Sequence, residues 1–573
     1  MYPIITHRRH ILHSHAVAYL LTLFLFANPS AAQQEWIDGT PYFYEHFPNL
    51  EPIESVPSAP QQAAPQLVVG DKKSFFSIDF RTQQQYSVQA TLRAVGRWCY
   101  IFVEDEQWGR TLGSGSVETI RRAFDDATPA NPSKGIYEVQ TEVFGPPPDI
   151  DGDPRIYILL LDIRDGATFA SGFIAGFFSP VNQQRGALRH PELGVTVRSN
   201  EIEMLYIDTH PLNAGGEEGL GVLAHEFQHL IHWRYDTNEE VWVNEGCSEY
   251  AMFLCGYSVA SHVGPFERTP SISLVHWPNG TRSQLAHYGA AYLWMLYLHE
   301  QYGGAATVSA VVQNRGDGIA GVESALLSKG VGKRFGDIFA DWKVANALDD
   351  PTFADGRYGY RNERLNIRFR RLHQTYPVTV PSNGLSSFAA DYIVFADDGN
   401  TGLNLTFDND GRFPYDVKVV EFRNEQPLAV RDMPLTDSGE GHLLISGFEQ
   451  VWLIPSMQPE EETFGPATSV YTYTARQGDS VAFRTSVLPN PIHPRYWEII
   501  AIPDNPVGVN APLITVRDGN AVVVSDQPML SVQDGAVYTH PLYLSPEIRP
   551  SNVQWEVTFF GETVGSGGLE EQR

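Results

Sequence analysis

His225 and His229 stand four residues apart in the stretch LAHEFQHLIHWRYDTNEEVWVNEGCSEYA, residues 223–251. A helix turns 100° per residue, so positions four apart share a face about 6 Å apart along the axis. Two imidazoles on one face can serve one metal ion. Glu226, beside the first histidine, is poorly placed to bind the same ion but can reach a water on it. Zinc lowers the pKa of such a water, and the carboxylate takes its proton as general base.

A catalytic zinc needs a third protein ligand and one open position. VWVNEGCSEYA supplies Glu245 after a gap of 15 residues, enough for the first helix to end, reverse and meet an antiparallel partner. Glu249, four beyond Glu245, lies on the same face. It is placed to accept a hydrogen bond from a ligand histidine and fix its tautomer. The motif helix, Gly219 to Tyr235, is expected to pack through Val222, Leu223, Phe227, Leu230 and Ile231.

HEFQH followed by NEGCSE resembles the gluzincin metallopeptidases, most closely the hyicolysin-like secreted peptidases. The resemblance covers about residues 95–360. It implies His225, His229 and Glu245 as zinc ligands, Glu226 as base, and Glu249 in the place of an orienting aspartate. The glutamate there is a departure from the thermolysin-like NExxSD pattern. The metzincin alternative fails, because it needs glycine at 232 and histidine at 235, and this chain has His232 and Tyr235. HYGAAYLWMLYLHEQYGG resembles the aminopeptidase-branch helix that begins with an oxyanion-stabilising tyrosine. That resemblance implies Tyr288 in the role, with His287 as competitor. The G-x-M-E-N segment with which aminopeptidases capture a free amine does not occur, so internal cleavage is favoured. The strand Met204–Asp208 is expected to be the sheet edge that pairs with an extended substrate.

The elements that must position these groups follow from periodicity. Tyr86–Val95, Trp98–Glu104, Ile156–Asp162 and Met204–Asp208 read as strands, and Val117–Asp126 as a helix. Residues 216–350 read as mainly helical, including Tyr288–Tyr302 and Phe335–Leu348. From about 375 short strands are separated by Gly, Asn, Asp and Pro, which suggests a β-sandwich. The expected organisation is a signal peptide at 1–32, a linker or pro-segment at 33–68, and a metallopeptidase domain at 69–365. A β-sandwich at 370–479 and a second β domain at 480–573 follow. The fold class is α+β: a zincin-like domain with an α/β N-terminal lobe and a helical C-terminal lobe, then all-β units.

Arg8, Arg9, the apolar run 16–27 and Ser30-Ala31-Ala32 mark a secretory signal. The mature chain should have no membrane span and be extracellular, at the cell surface or periplasmic. With 40 Lys and Arg against 68 Asp and Glu, the net charge is −28, which excludes nucleic acid and anionic lipid as partners. Protein or peptide substrates are expected, with a cell-surface or matrix ligand for the β units. Cys99, Cys247 and Cys255 are too few for a disulfide scaffold and read as buried thiols. Asp149, Asp151 and Asp153, alternating around a glycine turn, form a candidate Ca2+ loop. The closing glutamate of an EF-hand is missing, since position twelve is Leu160. The function expected is a secreted zinc metalloendopeptidase. The alternatives are an aminopeptidase or other zinc hydrolase, and a non-enzymatic surface-binding protein with a structural metal. A structural zinc has no use for Glu226.

Overall fold

The computed structural model describes residues 35–47, 50, 67–166, 172–189, 194, 196–278, 281–397, 402–445, 448–459, 467–478, 483–490, 493, 495–503, 511–532, 537–559 and 562–569. The signal at 1–32 lies outside them. The architecture is mixed α and β, consistent with the α+β class.

A seven-stranded sheet is built from β1 (Trp36–Asp38), β2 (Lys72–Asp79), β3 (Gln84–Val95), β4 (Cys99–Glu104), β5 (Ile156–Leu161), β6 (Phe173–Phe178) and β9 (Met204–Asp208), in the order β1-β6-β9-β5-β4-β3-β2. The short strands β7 (Ala187–Arg189) and β8 (Thr196–Arg198) form a separate ribbon. β4, β5 and β9 are mutually parallel and nearly all apolar, as strands covered on both faces must be.

The sheet overturns one expected placement. Met204–Asp208 is an interior strand, parallel to β5 on one side and antiparallel to β6 on the other, so it offers no free edge. β6 takes the position beyond it because FIAGFF is buried throughout and satisfies that side of β9. Within the stretch 33–68, expected to be a linker or pro-segment, residues 36–38 are a sheet strand and Thr40–His46 form a helix, α1.

Helices follow in the order α2 (Ser114–Asp125), α3 (Ile136–Phe144), α4 (Glu217–Tyr235), α5 (Val241–Cys255), α6 (Ala260–Arg268), α7 (Thr281–Gln301), α8 (Ala305–Val312), α9 (Gly318–Ser328) and α10 (Phe335–Leu348). α4 carries Glu217 and Glu218 in its first turn, where the helix dipole favours negative charge. It is buried on every side between the sheet and the other helices, not along one stripe. Val222, Leu223, Phe227, Leu230 and Ile231 all join the same core. α5 ends at Gly256, whose φ of 82° is the left-handed conformation of a helix C-cap. A side chain there would also strike the Ala130 backbone nitrogen, at 2.6 Å from its Cβ. Cys247 and Cys255 share α5, and all three cysteines are buried and unpaired.

Beyond α10 the described residues are mainly β strands. A five-stranded and a four-stranded sheet enclose one core between Leu385 and Ala475. Two further four-stranded sheets enclose another that includes Trp497, Ile499, Val516, Trp555 and Val557. Lys343 of α10, fully buried, reaches Asp416 Oδ1 at 2.6 Å and Ser456 Oγ at 2.8 Å, tying the helices to the first of these sheets.

α5 crosses α7 at Gly246, where a Cβ would lie 2.9 Å from the Ala291 carbonyl oxygen and 3.1 Å from Met295 Cγ. Neither helix backbone can yield there without moving Glu245. Gly246→Ala is expected to cost about 1–3 kcal/mol of stability, as overpacking does. Urea unfolding monitored by circular dichroism checks this, and an unchanged midpoint would refute the close crossing.

Candidate metal centre

α4 places His225 and His229 on one face, and α5 returns antiparallel to bring Glu245 against them. His225 Nε2 lies 3.1 Å from His229 Nε2 and 3.1 Å from Glu245 Oε2, and His229 Nε2 lies 3.6 Å from that oxygen. A fourth donor arrives from far away in sequence: Asp38 Oδ2, 3.1 Å from His229 Nε2. All four donor atoms lie within 4.8 Å of one another, and all four residues are buried.

The donor set fits zinc. Bonds of about 2.0–2.1 Å in tetrahedral array separate ligand atoms by about 3.3 Å, close to the spacings found. Two imidazole nitrogens pointed at each other, with carboxylates converging on the same spot, leave buried charge that a divalent cation neutralises. Glu226 Oε1 is buried with no hydrogen-bond partner among the described residues. Gly176 of β6 leaves room for it, since a Cβ at 176 would stand 2.8 Å from that oxygen.

Neighbouring groups orient the histidines. His225 Nδ1 is 3.2 Å from Glu249 Oε1, which also meets His262 Nδ1 at 3.0 Å. His229 Nδ1 faces Asn244 Oδ1 at 2.7 Å and Ser248 Oγ at 3.1 Å. Burial opposes charge on His225, but its bonds to Glu245 and Glu249 outweigh it and push the imidazole up to about 10. Burial would likewise raise Glu245 and Glu249, yet the adjacent histidines hold both at about 2. Glu226 is pushed well above the usual carboxylate range by burial first, then by the Asp38 charge. His232 is buried and held down to about 3 by burial and by His229.

Tyr288 is close to the cluster, its ring stacked on His262 at 4.8 Å, and its Oη accepts a hydrogen bond from Asp38 N at 3.3 Å. It stands well inside α7, which begins at Thr281, rather than at a helix start. His287 points elsewhere, into a cleft of about 930 Å³ that Tyr44, Glu239 and Trp277 also line. In the acidic loop, Asp149 and Asp151 converge with Glu203, not with Asp153. Asp153 instead pairs with Arg155 at 3.1 Å and accepts from Tyr100 Oη at 2.7 Å.

The sequence-derived set omitted Asp38, His262, Asn244 and Glu203. Asn244 carried a signal, as the asparagine of the NExxSE segment. Asp38 and Glu203 carried none, because each meets its partners only through the tertiary fold.

The paired imidazoles of His225 and His229, buried with carboxylate donors and with Glu226 alongside, form a candidate metal centre. Over 251 residues the chain is 25% identical to the neutral metalloprotease ShpI of Staphylococcus hyicus, a match covering 41% of this chain and 52% of that protein. The chain thus spans about half the length of the curated relative it matches. No family model matches. Among solved structures, the pre-peptidase C-terminal domain of a Bacillus anthracis collagenase aligns at a TM-score of 0.15 and 8% identity, over 19% of this chain and 99% of that one. The extracellular region of zebrafish Gpr126 aligns at 0.14 and 10%, over 35% of this chain and 31% of that one. Both scores are too low to define a common fold. Among the described residues no helix is long and apolar enough to cross a membrane.

Asn244→Ala removes the nearest partner of His229 Nδ1. Loss of such an orienting bond is expected to weaken zinc binding about 10- to 100-fold. Competition with a chromophoric chelator measures it, and unchanged affinity would exclude the orienting role.

Proposed function

We propose that this protein is a secreted zinc metalloendopeptidase of gluzincin type, its zincin-like lobes meeting at α4 and α5. The observation that carries the reading is the convergence of His225, His229 and Glu245 at ligand spacing with Glu226 beside them. The similarity to a neutral metalloprotease supports the same class. Zinc, when bound, supplies a water of lowered pKa and polarises the scissile carbonyl. Glu226 accepts a proton at its carboxylate and delivers it to the leaving nitrogen. Glu249, Asn244 and Ser248 fix the ligand imidazoles, and Tyr288 is assigned as donor to the developing oxyanion. The absence of an amine-capturing segment favours internal cleavage over trimming. The β units beyond residue 370 are assigned to a surface or matrix ligand.

The test pairs the parent with Glu226→Gln. Both should bind one zinc, and cleavage of unfolded casein should fall by about 100- to 10,000-fold in the variant. Zinc in both with equal cleavage would remove Glu226 from the reaction, and cleavage by neither, once mass spectrometry shows that no N-terminal pro-segment is retained, would favour a binding protein.

Asp149, Asp151 and Glu203 are proposed to hold calcium. Glu203 is buried, and its Oε2 has no hydrogen-bond partner among the described residues, while Oε1 accepts from Ile150 N at 2.5 Å. Burial, reinforced by Asp151, pushes Glu203 up to about 8, and burial with the other aspartates takes Asp151 to about 6, with Lys73 opposing. Protons compete with the ion for these oxygens, so affinity should rise as pH rises from about 6 to about 8. Calcium titration calorimetry at both pH values checks the sign. Equal affinity, or none, would count against the site.

A further inference from the structure

We infer that residues 35–47 are an inhibitory segment of this same chain, paired to the β6 edge of the sheet beside the metal cluster, with Asp38 filling the donor position that catalysis needs open. The inference rests on the zinc-peptidase reading above.

Three protein donors and one exchangeable position make a catalytic zinc site, whereas four protein donors make a closed one. Here the fourth donor is Asp38 Oδ2. Its other oxygen, Oδ1, accepts from Thr40 N at 2.9 Å and lies 2.9 Å from Thr40 Oγ1, which fixes the carboxylate's rotation. Thr40 Oγ1 also stands 3.3 Å from Glu226 Oε2 and accepts from Phe178 N at 2.8 Å. The short Asp-Gly-Thr turn therefore touches a metal-site histidine, the proposed base and the sheet edge together.

The backbone around it occupies a peptide's place. β1 adds to β6 with Trp36 opposite Phe173, Ile37 opposite Ile174, and Asp38 opposite Gly176 after a bulge. Gly39 N donates to Gly176 O at 3.0 Å. β6 is the strand that passes Glu226, and without β1 it would be the bare edge of the sheet. Strand addition to such an edge is a general mode of peptide capture. The Asp38 amide bonds Tyr288 Oη, and the Trp36 carbonyl accepts from His262 Nε2 at 3.1 Å. α1 then leads along the wall of the 930 Å³ cleft through Pro41, Tyr44 and Glu45, anchored by Phe43 stacked on Phe177 at 5.5 Å.

The segment is bound without being a substrate. It presents a side-chain carboxylate, not a peptide carbonyl, to the donor cluster, so there is no scissile bond at the metal position. Its release needs cleavage of the chain after Phe47, ahead of β2.

The experiment uses the secreted full chain, its Asp38→Ala and Asp38→Asn variants, each also carrying Glu226→Gln to prevent self-cleavage, loaded with cobalt. Acetohydroxamate should alter the visible cobalt spectrum of both Asp38 variants at concentrations at least about tenfold lower than it does in the parent. In the Glu226 background, the parent should cleave casein after a lag, during which mass spectrometry shows loss of an N-terminal fragment extending past Phe47. Asp38→Ala should show no lag. Equal acetohydroxamate response in chains with intact N-termini would overturn the inference. So would loss of cobalt from both Asp38 variants with the parent loaded, since Asp38 would then be a permanent ligand. Failure of the parent itself to bind cobalt would instead overturn the metallopeptidase reading.

Discussion

The structure is organised around one electrostatic problem: two imidazoles and several carboxylates brought to about 3 Å of each other in the buried core. Isolated buried charge is strongly unfavourable, and it persists only when paired, hydrogen-bonded or bound to a metal. The fold meets this with pairing at every level. His225 and His229 face Glu245 and Asp38 with one nitrogen and Glu249 or Asn244 with the other. The cluster is possible only because α4 is buried on all sides, an arrangement that requires the sheet, α3 and α5 to close around it.

α5 carries most of the precision. Asn244, Glu245, Ser248 and Glu249 come from just over one turn of it, so a single rigid helix supplies a donor to the cluster and the partners of both histidines. Its register against α4 depends on the Gly246 crossing with α7, which fixes how deeply Glu245 enters. A loop could offer the same residue types, but side chains on packed helices hold the narrow geometry that a metal centre demands.

Much of this was legible in the chain. The strongly periodic or uniformly apolar segments were read close to their true bounds: β4, β5, β9, α4 and α10. The two local motifs also gave His225, His229, Glu245 and Glu249 their shared location, because helical spacing is a local property. What escaped was tertiary. No local pattern distinguishes an interior from an edge strand when both are apolar, so the edge was assigned to Met204–Asp208 instead of β6. Proline-rich surroundings hid a three-residue strand and a two-turn helix at 36–46, where composition argued for a linker or a pro-segment without naming its elements. Alternating aspartates suggested that Asp153 would join Asp149 and Asp151, but Arg155 two residues on and Tyr100 in β4 claim its carboxylate, and Glu203 takes the place.

The edge of the sheet and the fourth donor position are one constraint. An uncovered apolar edge strand invites pairing with whatever extended chain is at hand, and an open metal position beside it invites cleavage of that chain. β1 satisfies both at once, yet it is only three residues long, and its bulge costs part of the ladder. Its connection to the rest of the chain adds to its occupancy by holding the segment at a local concentration of the order of millimolar. A cut in that connection leaves every contact unchanged and removes only the tether. Trp36, Phe43 and Phe47 are buried, so the segment is held by packing as well as by pairing, and the cut acts by turning an intramolecular contact into a dissociation that dilution can drive.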